Sequence, residues 1–238
     1  MSGASLVIGA SSGIAQAVIS QLLTDDPAAT VYRVSRSPNV SQDKNVHSIS
    51  CDYSEAQIES AIEQLKHSPS ITQVFICNGV LHSDAHMPEK RLEDISGSHF
   101  LQAINSNTLI PLLWLKHLLP LLNQDDPCTV TLFSARVGSI GDNRLGGWYS
   151  YRASKAALNM AVKTAAVEYA RRAKQVKLIL FHPGTTDTPL SKPFQTNVPG
   201  GKLFSPQFVA QQLLSIVDHL EPDGQLSYLD WQGKTIPW

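Results

Sequence analysis

SLVIGASSGIAQAVISQLL, residues Ser5–Leu23, decides the fold. An apolar run closes on Gly9, small residues follow, and from Gly13 onward the apolar residues recur at helical spacing, so the stretch reads strand, tight turn, helix. Gly9, Ser11, Ser12, Gly13 and Ile14 form the turn and the helix start. Small residues there let the backbone approach a ligand, and the unpaired N–H groups of the first helical turn suit an anion such as a pyrophosphate. The spacing is G-x-x-x-G-x-A rather than G-x-G-x-x-G. The same residues formally match the G-x-S-x-G elbow of serine hydrolases, with Ser11 as nucleophile. Position separates the two readings, because a hydrolase elbow has further strands before it and this turn ends the first strand.

Working outward, Thr30–Ser35 is a second strand ending in Ser35-Arg36. An acidic residue at that point would bind the ribose hydroxyl of NAD, whereas a cation pairs with the 2′-phosphate of NADP, so NADP is the expected cofactor. Strands are predicted at Val46–Cys51, followed by Asp52 and an amphipathic helix over Glu55–Lys66; at Ile71–Cys77, followed by Asn78-Gly79; at Thr129–Phe133; at Val176–Phe181; and, as an edge, at Leu226–Leu229. This alternation fits one α/β domain spanning 1–238. Leu101–Leu122 is a long helical pattern interrupted by Pro111, which has no N–H for the carbonyl of Asn107 four residues earlier. That carbonyl marks either a site that holds water or a simple surface kink. Pro189–Pro206 reads as a mobile lid, and Phe208–Leu220 as a last helix.

WYSYRASKAALNM, Trp148–Met160, places Tyr151 and Lys155 four residues apart, on one face of a helix. A phenol titrates near ~10, so it works as an acid or base at neutral pH only if a cation stabilises the phenolate. Lys155 is placed to do that. The alanines downstream favour helix, and Arg171, Arg172 and Lys174 suit its C-terminus.

The formal net charge of -1 shows no basic excess for nucleic acid or an anionic membrane, which leaves small molecules and further copies of the chain as partners. The start MSGASLVIG lacks the basic opening of a secretory signal. Leu109–Leu122 is broken by Pro111, Lys116, His117 and Pro120, short of a span of roughly 20 apolar residues. Three cysteines without C-x-x-C spacing read as reduced thiols in a cytoplasmic protein. His82, Asp84 and His86 read as loop or pocket-rim residues, and no metal is expected.

Taken together these residues resemble the classical short-chain dehydrogenase/reductase family over essentially the whole chain. The run SARVGSIGDNRLGGWYSYRASKAALN resembles its C-factor-like branch, some members of which are associated with signalling. The resemblance implies a Rossmann-type, doubly wound parallel sheet of seven strands, order 3-2-1-4-5-6-7, in three α/β/α layers, and a homodimer or homotetramer. It assigns Gly9, Gly13 and Ala15 to the cofactor turn, Asp52 to an adenine contact, and Cys77-Asn78-Gly79 to an N-A-G segment. Pro183-Gly184 with Thr186 and Thr188 would hold the nicotinamide carboxamide. It implies an NADP(H)-dependent oxidoreductase acting on a small carbonyl or alcohol. Tyr151 would be the acid, Lys155 would lower its pKa and hold the nicotinamide ribose, and the Asn107 carbonyl would hold a water.

One position departs from the family. Its catalytic serine is usually the second of a Ser-Ser pair, and here that residue is Ala135. Ser134 is the expected substitute ahead of Ser139, because it lies nearest the strand end. Asn105 is a second asparagine near the expected place, but Asn107 lies four residues before Pro111. Leu145, Trp148, Leu190 and Phe194 are expected to make the substrate pocket partly apolar. A nonenzymatic dinucleotide-binding sensor or signalling protein is the alternative, with the intact Tyr151–Lys155 pair against it.

Overall fold

The computed structural model describes residues 3–37, 43–83, 85–122 and 125–238. Strands β1 (Ala4–Ile8), β2 (Val31–Ser35), β3 (Val46–Ser50), β4 (Ile71–Ile76), β5 (Cys128–Phe133) and β6 (Val176–His182) join one sheet. After two short strands, β7 (Thr185–Thr186) and β8 (Leu203–Phe204), β9 (Ser227–Asp230) completes it. The order is β3-β2-β1-β4-β5-β6-β9 with every neighbouring pair parallel, which is the seven-stranded doubly wound sheet expected.

Among the described residues six α-helices cover the two faces: α1 (Gly13–Asp25), α2 (Glu55–Leu65), α3 (Gly97–Ile104), α4 (Ile110–Leu121), α5 (Tyr149–Arg172) and α6 (Pro206–Val217). Strand side chains alternate between two cores. Val7, Phe75, Phe133 and Ile179 pack with Ala15 and Val18 of α1 and Leu213 of α6. Their neighbours Leu6, Ile8, Val74, Val130 and Leu178 pack with Ile58 of α2, Trp114 of α4 and Leu158 of α5. Central strands are thus buried on both faces, which explains their continuous apolar runs. Full burial of one such side chain is worth roughly 1.5–3 kcal/mol. An exposed ion pair such as Lys66–Glu63 is worth about 0–1 kcal/mol, so packing rather than surface charge holds the layers.

The chain runs from β1 out to β3 and returns to β4 on the other side of β1, so the ends of β1 and β4 flank a crevice where the winding reverses. Gly9 closes β1 there with φ +77°, and a Cβ on it would lie 3.0 Å from the Asn78 nitrogen. Only glycine meets both demands.

Two segments take a local form that the sequence pattern did not specify. The break in the Leu101–Leu122 pattern is a π-helical segment, Asn105–Leu109, between α3 and α4, in which the Ile110 N–H donates to the Asn105 carbonyl five residues back. Widened turns of this kind are frequent at functional sites. The proline-rich stretch Pro189–Pro206 carries a 3₁₀ segment at Lys192–Asn197, and β8 ties its end to β7. Among the described residues no helix is long and apolar enough to cross a membrane.

Candidate active site

A cavity of 290 Å³ opens at the crevice, lined by Gly9, Ser11, Ser12, Arg36, Asp52, Asn78 and Gly79, all singled out in the sequence. A larger hollow of 420 Å³ lies at the opposite end of the strands, around Thr72, Gln73 and Gln175, and none of the candidate residues lines it. Chemistry therefore favours the smaller one. Ser12 caps α1, its hydroxyl oxygen accepting the Ala15 N–H at 3.3 Å, and Ile14 packs beneath the turn. Ser35 is buried at the end of β2, and Arg36 follows it, exposed at the cavity. The Asp52 carboxylate accepts the Ser54 N–H at 2.8 Å; the Ser54 hydroxyl and N–H hold it below the usual carboxylate range. Tyr53, missed in the sequence, lines the same cavity with φ +71°, an uncommon backbone state for a bulky residue.

The downstream motif reaches the same helix start. A Cβ on Gly13 would meet the Thr188 methyl at 3.4 Å, and Gly184, at φ +73°, lies against the rings of Phe204 and Trp231. Pro183 leads into that turn. Thr186 and Asn78 each carry a buried oxygen without a hydrogen-bond partner. Such groups are costly unless a ligand or water satisfies them, so the residues present fit a dinucleotide.

Tyr151 and Lys155 lie on one face of α5, with the Lys155 ammonium 5.9 Å from the centre of the Tyr151 ring. The ammonium donates to the Phe133 carbonyl at 2.8 Å. Burial pushes Lys155 down to about 8 and pushes the Tyr151 phenol up, with the nearby Tyr228 adding to the latter. The lowered phenol pKa expected from the sequence is not what this arrangement shows: desolvation dominates and the ammonium is engaged by a carbonyl.

Asn107, fully buried in the π segment, joins three elements. Its Oδ1 accepts the Val80 N–H at 2.7 Å, and its Nδ2 donates to the Val80 carbonyl and to Ser154 Oγ, both at 2.9 Å. Ser154 Oγ in turn donates to the Tyr151 carbonyl at 2.8 Å. A Cβ on Gly79 would lie 3.5 Å from both Asn107 Oδ1 and Lys155 Nζ, so the cofactor crevice and the Tyr–Lys pair are contiguous.

Both candidate serines have other partners. Ser134 donates to Asn159 Oδ1 at 2.6 Å, two turns of α5 beyond Tyr151, and Ser139 Oγ accepts the Asp142 N–H at 3.1 Å. The Ala135 carbonyl accepts the Tyr228 hydroxyl at 2.7 Å. Of the expected pocket residues, Trp148 lies 6.1 Å from the Tyr151 ring and 5.0 Å from Phe194, and Leu190 is half-buried. Leu145 is 92% exposed and faces water instead. His82 contacts Phe194 and the Pro189 carbonyl while His86 stacks on His99; Asp84 lies outside the described residues. No histidine is among the described residues lining the cavity at Ser11, so the base that a serine nucleophile needs is not at hand.

A model of short chain dehydrogenases matches residues 4–199. The 1-hydroxy-2-glutathionyl-2-methyl-3-butene dehydrogenase of Rhodococcus sp. (strain AD45) is 30% identical over 98% of either chain. The C-signal of Myxococcus xanthus is 33% identical over 62% of this chain and 83% of that protein. Among solved structures, an NADPH-bound carbonyl reductase from chicken fatty liver superposes with a TM-score of 0.83 at 22% identity, covering 99% of this chain and 98% of that one. With the sheet, the glycine turn and the Tyr–Lys pair in place, the chain belongs to the short-chain dehydrogenase family of oxidoreductases.

Proposed function

We propose that the protein is an NADP(H)-dependent oxidoreductase interconverting a small carbonyl compound and its alcohol. The observation that carries this reading is the closeness of Gly79 to Lys155 and Asn107, both 3.5 Å from where a Cβ on Gly79 would lie, which sets the Tyr151–Lys155 pair beside the crevice. A bound nicotinamide would supply or accept the hydride. Tyr151 gives its proton to the carbonyl oxygen and takes it back in the reverse direction. Lys155, the buried cation beside it, favours the phenolate as that proton leaves and would hold the nicotinamide ribose. The Asn107 carbonyl is the assigned seat of a water, and its side chain holds Val80 and Ser154 in place. Pro183, Gly184, Thr186 and Thr188 would hold the carboxamide, with the unpartnered Thr186 hydroxyl as support.

A signalling role is the second reading, favoured by Ala135 and by the relative named C-signal. Turnover separates the two. A panel of aldehydes and ketones should show NADPH consumption, and Tyr151→Phe should lower it at least a hundredfold with cofactor affinity unchanged, in line with the usual worth of an acid catalyst. Tyr149→Phe should be mild. A dead Tyr149 variant beside an active Tyr151 variant would move the reaction elsewhere, and no turnover with any carbonyl would favour the signalling reading.

A further inference from the structure

Helix α5 begins without the usual help. Its N-cap residue Trp148 gives no side-chain cap, and its first turn contains no acid, although the first N–H groups of a helix lack intrahelical partners. The acid comes from 61 residues away. Glu89, only 3% exposed, lies between β4 and α3 and meets the helix start at two points. Its backbone carbonyl accepts the Trp148 N–H at 2.6 Å. Its carboxylate accepts the Ser150 N–H at 3.1 Å and also the Ser150 hydroxyl. Burial alone would raise its pKa, but the Ser150 hydroxyl and N–H groups, helped by His99, hold it below the usual carboxylate range.

What Glu89 holds is strained and close to the chemistry. Trp148 has φ +55°, a state that a bulky residue keeps only when its surroundings impose it. Gly147 before it has φ +64°, and a Cβ there would lie 3.4 Å from the same Glu89 carbonyl. The Trp148 ring meets the Tyr151 ring edge-on, and Tyr151 follows Ser150 directly.

We propose that Glu89 is a positioning residue: its carboxylate fixes the first turn of α5, and with it the aim of the Tyr151 hydroxyl and the stance of the Trp148 ring against it. The inference rests on Tyr151 being the proton donor. Glu89→Ala should lower kcat for carbonyl reduction about ten- to a hundredfold, as small misplacements of catalytic groups do, while leaving the affinity for NADPH unchanged. Glu89→Gln keeps an acceptor for the Ser150 N–H and should recover most of the rate. A second readout needs no turnover. The emission difference between each protein and its Trp148→Phe derivative isolates Trp148; it should move toward that of a solvated indole in Glu89→Ala and stay unchanged in Glu89→Gln. Should the alanine variant not fold, Ser150→Ala, which removes the hydroxyl contact, takes its place. Unchanged kcat and emission in the alanine variants, or a glutamine variant as poor as alanine, would overturn the proposal. A protein that reduces no carbonyl but shows the emission change would sink the assignment of Tyr151 and keep the role of Glu89.

Discussion

Ala135 stands where the family resemblance calls for a hydroxyl, and its neighbour Ser134 is occupied. Ser134 faces α5, as a strand-end residue must to reach Tyr151, but its hydroxyl ends at Asn159, deeper along the helix. Removing one donor to a reacting oxygen typically costs a hundredfold or more, so restoring one should be visible. Ala135→Ser is expected to raise kcat/KM at least about tenfold. Ser134→Ala should instead cost stability of roughly 1–3 kcal/mol, because the buried Asn159 oxygen loses its donor, and should leave the rate within a few-fold. Rates and thermal midpoints of the two variants decide the matter: a large rate loss in Ser134→Ala at an unchanged midpoint would make Ser134 the participating hydroxyl after all. At this scale the sequence was legible where partners are close along the chain. Tyr151 and Lys155 are one helical turn apart, and spacing places them together. Ser134–Asn159 and Lys155–Phe133 depend on where β5 lies against α5, and Glu89–Ser150 depends on a loop crossing a distant helix; no local pattern encodes those contacts.

Pro111 announced an interruption, and the structure makes it a π segment whose widened turn carries Asn107 to its three bonds. A kink and a π turn share the same missing N–H, so the sequence does not distinguish them; the choice rests on the buried partners of Asn107. The short ribbon of β7 and β8 was illegible for another reason, since strands of two residues show no alternation. Asn107→Ala would leave both Val80 backbone groups without side-chain partners and untie Ser154 from the π segment. Each unsatisfied buried group costs about 1–3 kcal/mol, so denaturant unfolding should show a loss of at least ~2 kcal/mol together with slower turnover. Asn105→Ala should be nearly neutral, because that residue lines the cavity and is exposed. Equal effects of the two substitutions would mean that the π segment serves the fold and not the site.

For the whole molecule, the alternation of strands and helices made the α/β class legible, but the order of strands came only with the resemblance, because register and neighbours in a parallel sheet are set by crossovers rather than by pattern. That order matters for the cofactor. The winding reverses between β1 and β4, which carries the end of β2, with Ser35 and Arg36, to the rim of the crevice whose floor is Gly9. Arg36 is exposed there, and no acid sits at the end of β2 to accept a ribose hydroxyl. A charge-assisted contact of a guanidinium with a 2′-phosphate is worth roughly 1.5–3 kcal/mol, so NADPH should bind about tenfold or more tighter than NADH, and Arg36→Ala should erase the difference by weakening NADPH alone. Titrating both cofactors into both proteins tests this, and equal affinities in the unaltered protein would defeat it. Salt gives an independent arm. A contact made by an exposed charge is screened as the Debye length falls from about 10 Å at 0.1 M toward 3 Å at 1 M. The NADPH preference should therefore shrink with ionic strength, and a preference that salt leaves untouched would have to come from shape around the adenosine rather than from Arg36.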